Sequence, residues 1–336
     1  MFQRLLVLTC LLMVSSASFA TEKLLFAVDI IRHGDRTPIY EIPKAPYQWK
    51  EGLGQLTTTG MKQEIKLGEA LRKKYVNQYR LLPAKYQPET VYVRSTSWDR
   101  TIMSAEFLLR GLYPDNTRSL DYYAAIPIDT VPNEDDNLLL AKPNKNVFAI
   151  AKNYLINKKS WHDQASTMQA KLNAWQAETG IPLTNFSNLN QLADNLRIRK
   201  LKNVPLPAGM SNQDAEQIMA MSEAADVNAF KNKYNFPMGK ECLKKINAYV
   251  NAAKSGKTPL KYVLFSGHDT TILSVMSALD TPLDTNPPYA SHLNFSLYSN
   301  NDRYYVKVSY NDKPVNVPAC GGDTCSLAQF ASFIRT

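Results

Sequence analysis

The chain has 336 residues, 44% hydrophobic, 10% aromatic and 21% charged, with a formal net charge of +9. These fractions suit a folded globular protein and exclude a disordered or collagen-like chain. The length suits one large domain or two ordinary ones, and no apolar run beyond the N-terminus is long enough to span a membrane.

Residues 1–20 read as an export signal. Arg4 supplies the positive end and Leu5 to Val14 a short apolar run. Ser18-Phe19-Ala20 puts small residues where a signal peptidase cuts. Cys10 follows Thr9 inside the run, which is the wrong setting for a lipid anchor. A periplasmic or secreted location is expected, and with it an oxidising compartment. Cys320 and Cys325 flank Gly321-Gly322-Asp323-Thr324, a spacing that reads as a local disulfide. Its entropic contribution is modest because the loop is short. Cys242 falls on a helical pattern and is expected as a buried free thiol. The remaining cysteines and the scattered histidines have no zinc-ligand spacing, and no metal or other cofactor is expected. The lysines and arginines from Lys62 to Lys74 follow a helix face and read as solvated surface. No aromatic-studded basic strand points to nucleic acid, although a positive field would draw small anions to a cleft.

In chain order, three strand–turn–helix units stand out. Leu24 to Ile31 is a continuous apolar run, typical of a strand buried on both faces. It ends in Arg32-His33-Gly34-Asp35-Arg36-Thr37-Pro38. A helix follows Leu56-Thr57, with Met61, Ile65, Gly68, Leu71 and Tyr75 as its apolar face. The second strand, Thr90 to Arg94, leads through Ser95-Thr96-Ser97 as capping residues into a helix from Trp98 to Leu112. The third, Lys261 to Ser266, leads through Gly267-His268-Asp269 into a helix from Thr270 to Leu279. Such units imply an α/β fold: a mainly parallel sheet with helices on both faces and ligands at the carboxyl ends of the strands.

The middle of the chain is helical, with amphipathic segments Trp161 to Glu178, Leu189 to Leu201 and Gln213 to Lys231. The expected organisation is a signal over 1–20, a core over 21–133, a helical cap over 134–251 and the rest of the core over 252–336. Leu293 to Tyr298 and Arg303 to Tyr310 alternate as a hairpin around Ser299-Asn300-Asn301-Asp302. Asn185 and Asn294 each open a glycosylation triplet, the second inside a strand and so a chance match. His162 and His292 read as structural.

The chemistry concentrates in Arg32-His33-Gly34-Asp35-Arg36. Two permanent cations disfavour protonation of the histidine between them, and their forked donors suit phosphate oxygens. Gly34 lets the chain turn beside the ring. This describes a histidine nucleophile beside an anion site.

RHGDRTP, followed by YVRST and then GHDTT, resembles the histidine acid phosphatase family, most densely from Ile31 to Pro114, where the prostatic and lysosomal acid phosphatases are the likeness. The resemblance implies a phosphoglycerate-mutase-like α/β core with an inserted helical cap, hydrolysis of phosphate monoesters through a phosphohistidine, and room for a homodimer. By the same resemblance His33 is the nucleophile and Asp269 the proton donor. Arg32, Arg36, Arg94 and His268 are the phosphate ligands, and Asp35 is a structural partner in the loop. Animal relatives carry a cysteine, then a histidine, then a glutamate after PPYAS; His292, Leu293 and Ser296 stand at those positions here, so no role of that histidine or glutamate transfers. A phytase or phosphotransferase of the same fold, a non-catalytic phosphate binder and a nucleic-acid module are the rival readings. Retention of both His33 and Asp269 counts against the non-catalytic one.

Overall fold

The computed structural model describes residues 22–114, 125–142 and 165–332; the expected export signal and His162 lie outside them. The order is β1 (Lys23–Arg32), α1 (Thr58–Arg72), β2 (Val91–Ser95), α2 (Asp99–Leu112), α3 (Ala165–Thr179), α4 (Phe186–Lys202), α5 (Asn212–Phe230), α6 (Met238–Lys254), β3 (Tyr262–Gly267), α7 (Asp269–Ala278), β4 (His292–Asn300), β5 (Arg303–Tyr310), β6 (Lys313–Pro314), β7 (Thr324–Ser326) and α8 (Leu327–Ser332).

The strands form one sheet in the order β2-β3-β1-β4-β5-β6, with β7 also on β5. The three strands that open the strand–turn–helix units run parallel, β1 and β2 flanking β3. Their buried positions explain their composition. β3 is buried along its whole length, whereas β2, at the edge, alternates buried and half-buried residues. β4 joins β1 antiparallel and forms the expected hairpin with β5. Its two-residue turn, Asn301-Asp302, has positive φ at both positions, the twist that matches flanking strands.

Helices cover both faces of the sheet. On one, Leu71, Tyr75, Leu108 and Leu112 pack on Ala27, Ile31, Val93 and Leu264. On the other, Cys242, Ile246, Val250, Ile272 and Val275 pack on Val28, Ile30, Val263 and Phe265. α1 turns a different face to the core from the one its apolar spacing suggests. Gly60, Glu64, Gly68 and Leu71 are buried, while Met61 and Ile65 are half-buried. α1 and α2 approach so closely at Gly68 that a Cβ there would lie 2.0 Å from the Leu108 carbonyl oxygen.

A third cluster joins α3, α4 and α5 through Trp175, Leu192, Leu196, Ile218 and Met221, and takes in Ile42 from the segment after β1. α6, grouped with the cap on sequence, instead buries Met238, Cys242, Leu243, Ile246 and Val250 in the sheet cluster. Its strongly amphipathic pattern reads the same whether the partner is a helix or a sheet, so sequence periodicity did not separate the two. Cys242 is a buried free thiol there, and Cys320 and Cys325 form a disulfide. Asn294 is buried in β4, and the Asn185 side chain caps α4 by accepting from the Asn188 N–H (2.9 Å). His292 opens β4 with Nε2 3.4 Å from Asp312. Among the described residues no helix is long and apolar enough to cross a membrane.

Replacing Gly68 with alanine forces α1 and α2 apart. The expected loss is about 1–3 kcal/mol of stability, the usual cost of overpacking. Urea unfolding measures it; an unchanged midpoint would contradict the close approach.

Candidate active site

The site lies where β1, β2 and β3 end. β1 delivers Arg32 and then His33, whose N–H donates to the Gly267 carbonyl at the end of β3 (3.1 Å). The chain then turns through Gly34. A Cβ at Gly34 would lie 2.5 Å from the Gly60 carbonyl oxygen in α1, so a side chain has no room. The Gly34 N–H donates to Ser104 Oγ on α2 (3.1 Å). Asp35 accepts from the Thr57 hydroxyl and pairs with Lys202 of the cap (2.5 Å), which fits its expected structural part.

His33 is buried, and Nδ1 lies 2.9 Å from the Gly34 carbonyl oxygen. A carbonyl can only accept, so Nδ1 carries the proton and Nε2 keeps its lone pair. Burial, followed by the charges of Arg36, Arg100 and Arg32, holds the imidazole well below the usual histidine range. The ring therefore stays neutral in acid, where an ordinary histidine would be protonated. His268, the N-cap of α7, stands edge-on to it with ring centroids 5.5 Å apart. Its Nε2 lies 3.1 Å from Thr96 Oγ1, and burial followed by Arg100 pushes it down to about 3.

Asp269 begins α7. Its Oδ2 pairs with Arg32 at 2.8 Å and its Oδ1 accepts from the Thr270 N–H at 2.7 Å. Burial alone would push this carboxyl up. Arg32, His268, Arg36 and the Thr270 N–H overcome burial and hold it below the usual carboxylate range. Arg32 also stacks on Tyr289, 4.3 Å from the ring centroid, and Arg36 grips Asp194 of α4 with two 3.0 Å hydrogen bonds. α4 is thereby tied to the loop that follows β1. From α5, Asp226 accepts from Asn190 (3.2 Å) and is raised to about 7 by burial and then by the charge of Asp269.

Arg94 does not join this cluster, and the expectation that it holds phosphate is corrected. Its Nη2 pairs with buried Asp136 at 2.8 Å, and Asp136 also accepts the N–H groups of Leu138 and Leu139. The charge of Arg94 bears on Tyr92, Cys242 and Tyr249, on the α6 side. The third guanidinium acting on His33 is Arg100, in the first turn of α2. Arg100 is buried and stacked against Trp98 at 5.1 Å. Among the described residues no carboxylate pairs with it and its Nε has no hydrogen-bond partner. Burial, then the charge of Arg36, lowers its pKa to about 10. A buried guanidinium left in that state is stabilised by any anion brought to it. Sequence reasoning missed Arg100, Asp194 and Asp226. For Arg100 a signal existed: a cation in the first turn opposes the helix dipole and so needs another reason to be there. Nothing local marks Asp194 or Asp226.

Fold and site together define an α/β protein that holds a neutral histidine against a cluster of cations fit for an oxyanion. The profile of the histidine phosphatase superfamily (branch 2) matches residues 23–311. Prostatic acid phosphatase of Bos taurus is 30% identical over 335 residues, covering 93% of this chain and 85% of that protein. Lysosomal acid phosphatase of Homo sapiens is 30% identical over 332 residues, covering 91% and 76%. The phytase from Citrobacter braakii superposes with a TM-score of 0.66 at 17% identity, over 93% of this chain and 97% of that one, which is a likeness of fold. The chain belongs to the histidine phosphatase superfamily, branch 2.

The two arginines separate in a binding test. Arg100→Met should weaken inorganic phosphate binding by roughly 10- to 100-fold, the loss of charge-assisted hydrogen bonds. Arg94→Met should leave phosphate affinity within about twofold while lowering stability, because it strands buried Asp136. Calorimetric titration reads the first and thermal unfolding the second; equal phosphate affinity in the two variants would contradict the assignment.

Proposed function

We propose that this protein is an exported acid phosphatase that hydrolyses phosphate monoesters through a phosphohistidine on His33. The observation that carries the reading is the convergence of Arg32, Arg36 and unpaired Arg100 on a neutral buried imidazole. A phosphate group fills that need: its oxygens take Arg100 and share Arg32 and Arg36. His268 stands on the same side as a further polar contact. The cations stabilise charge on the transferring phosphoryl oxygens.

Nε2 of His33 attacks phosphorus, the N–P bond forms and the ester P–O bond breaks. Asp269 gives its proton to the departing oxygen, which would otherwise leave as a poor alkoxide. Water then attacks the phosphohistidine, Asp269 takes the water proton, and phosphate and free His33 result. In the free protein Arg32 holds Asp269 ionised. A phosphate on Arg32 shares that charge and makes Asp269 easier to protonate. The lowered pKa means that the acid form exists only at low pH, so kcat/KM falls as pH rises out of the acid range.

α4 sets an acidic group against this cluster: Asp194 neutralises Arg36. This balance supports a substrate with one phosphate over one with many, which would need surplus positive charge. Export to an oxidising compartment agrees with the Cys320–Cys325 disulfide.

The test is phosphate release from an aryl phosphate across pH, with a chelator present, for wild type and His33→Ala. Acid-optimal activity that resists chelation and falls by at least about a thousandfold in the variant is expected for loss of a nucleophile. A maximum near pH 8, or activity retained in His33→Ala, would overturn the reading.

A further inference from the structure

Beneath the nucleophile loop lies a carboxyl group that the proposed reaction does not use. Glu64 is fully buried on α1, one helical turn after Gly60. Among the described residues neither of its oxygens has a hydrogen-bond partner, and no charged side chain bears on it. The one polar side chain that does is Ser104 of α2. Ser104 already has two bonds. Its Oγ accepts the Gly34 N–H (3.1 Å), beside the nucleophile, and its proton goes to the Arg100 carbonyl (2.7 Å).

A serine hydroxyl has one proton to give and two lone pairs to receive with. With its proton committed to Arg100, Ser104 can meet Glu64 only as an acceptor. A hydrogen bond between the two therefore requires that Glu64 bring a proton. An ionised carboxylate in this place would be buried with no cation and no donor, a costly state. Burial accordingly pushes Glu64 well above the usual carboxylate range. The titratable and charged groups that this link reaches are His33, through Gly34, and Arg100, through its carbonyl.

We propose that Glu64 is a positioning residue that works as a neutral carboxylic acid: its O–H donates to Ser104 Oγ and so fixes the nucleophile loop against the helix that carries Arg100. The inference rests on the phosphatase reading above. Ser104 then uses every donor and acceptor it has, and three elements (the end of β1, α1 and α2) share one hydroxyl. The histidine and the arginine are held in register by a bond that disappears when Glu64 loses its proton.

The test uses the exported chain and three variants. Glu64→Gln keeps a donor for Ser104 and should keep kcat within about twofold. Glu64→Leu removes it and should lower kcat by about tenfold or more with KM little changed, because the nucleophile is misplaced relative to bound phosphate. Ser104→Ala cuts the same link from the other side; its loss in kcat should not add to that of Glu64→Leu in the double variant. Should Glu64→Leu fail to fold, Ser104→Ala against Glu64→Gln gives the same comparison. Infrared spectra at pH 7 without substrate should show a protonated carboxyl C=O band that Glu64→Gln lacks. A wild-type kcat in Glu64→Leu, or equal losses in the Gln and Leu variants, would overturn the positioning role. Absence of the infrared difference would overturn the neutral acid. If wild type hydrolyses no ester, the phosphatase reading has failed, and the infrared band still decides the protonation of Glu64.

Discussion

Three guanidinium groups press on one buried imidazole, and the architecture around them follows from the need to hold like charges together. Two are balanced within the protein, Arg32 by Asp269 and Arg36 by Asp194. Among the described residues no carboxylate pairs with Arg100, and it sits out of water where its charge is most costly. The arrangement stores a demand for an anion beside the buried imidazole of His33. The same field keeps His33 unprotonated, so the groups that attract an anion also preserve the lone pair on the imidazole beside it.

Holding this cluster in register falls to backbone packing. His33 is pinned by its N–H to Gly267, so the ends of β1 and β3 move together. Gly34 presses against Gly60 with no space for a side chain, which sets the loop directly on α1. Ser104 then ties that loop to the turn of α2 that carries Arg100. The cap is attached at the same place, since Asp194 and Lys202 of α4 pair with Arg36 and Asp35. α4 and the core are therefore joined through the arginine whose charge also bears on His33.

Much of this was legible in the sequence. The continuous apolar runs of β1 and β3 marked strands buried on both faces, and the charged turns after them marked the site. His33, Arg32, Arg36, His268 and Asp269 do come together. Arg94 misled because a charged residue at a strand end was taken to face the cleft; its side chain instead reaches Asp136 on the α6 side. Arg100 was passed over, although a cation in the first turn of a helix is itself a signal. Glu64 drew no reading, because Met61 and Ile65 suggested a different buried stripe. Asp194 and Asp226 depend on how the cap docks, a long-range fact that no local spacing encodes.

The central claim is that His33 itself carries the phosphoryl group. Rapid quenching during turnover of a labelled aryl phosphate, followed by peptide mapping, tests it most directly. The account predicts an acid-labile, base-stable label on the peptide containing His33, formed in a burst and absent in His33→Ala. Label on another residue, or turnover with no labelled intermediate in the Asp269→Asn variant, whose second step is slowed, would contradict it.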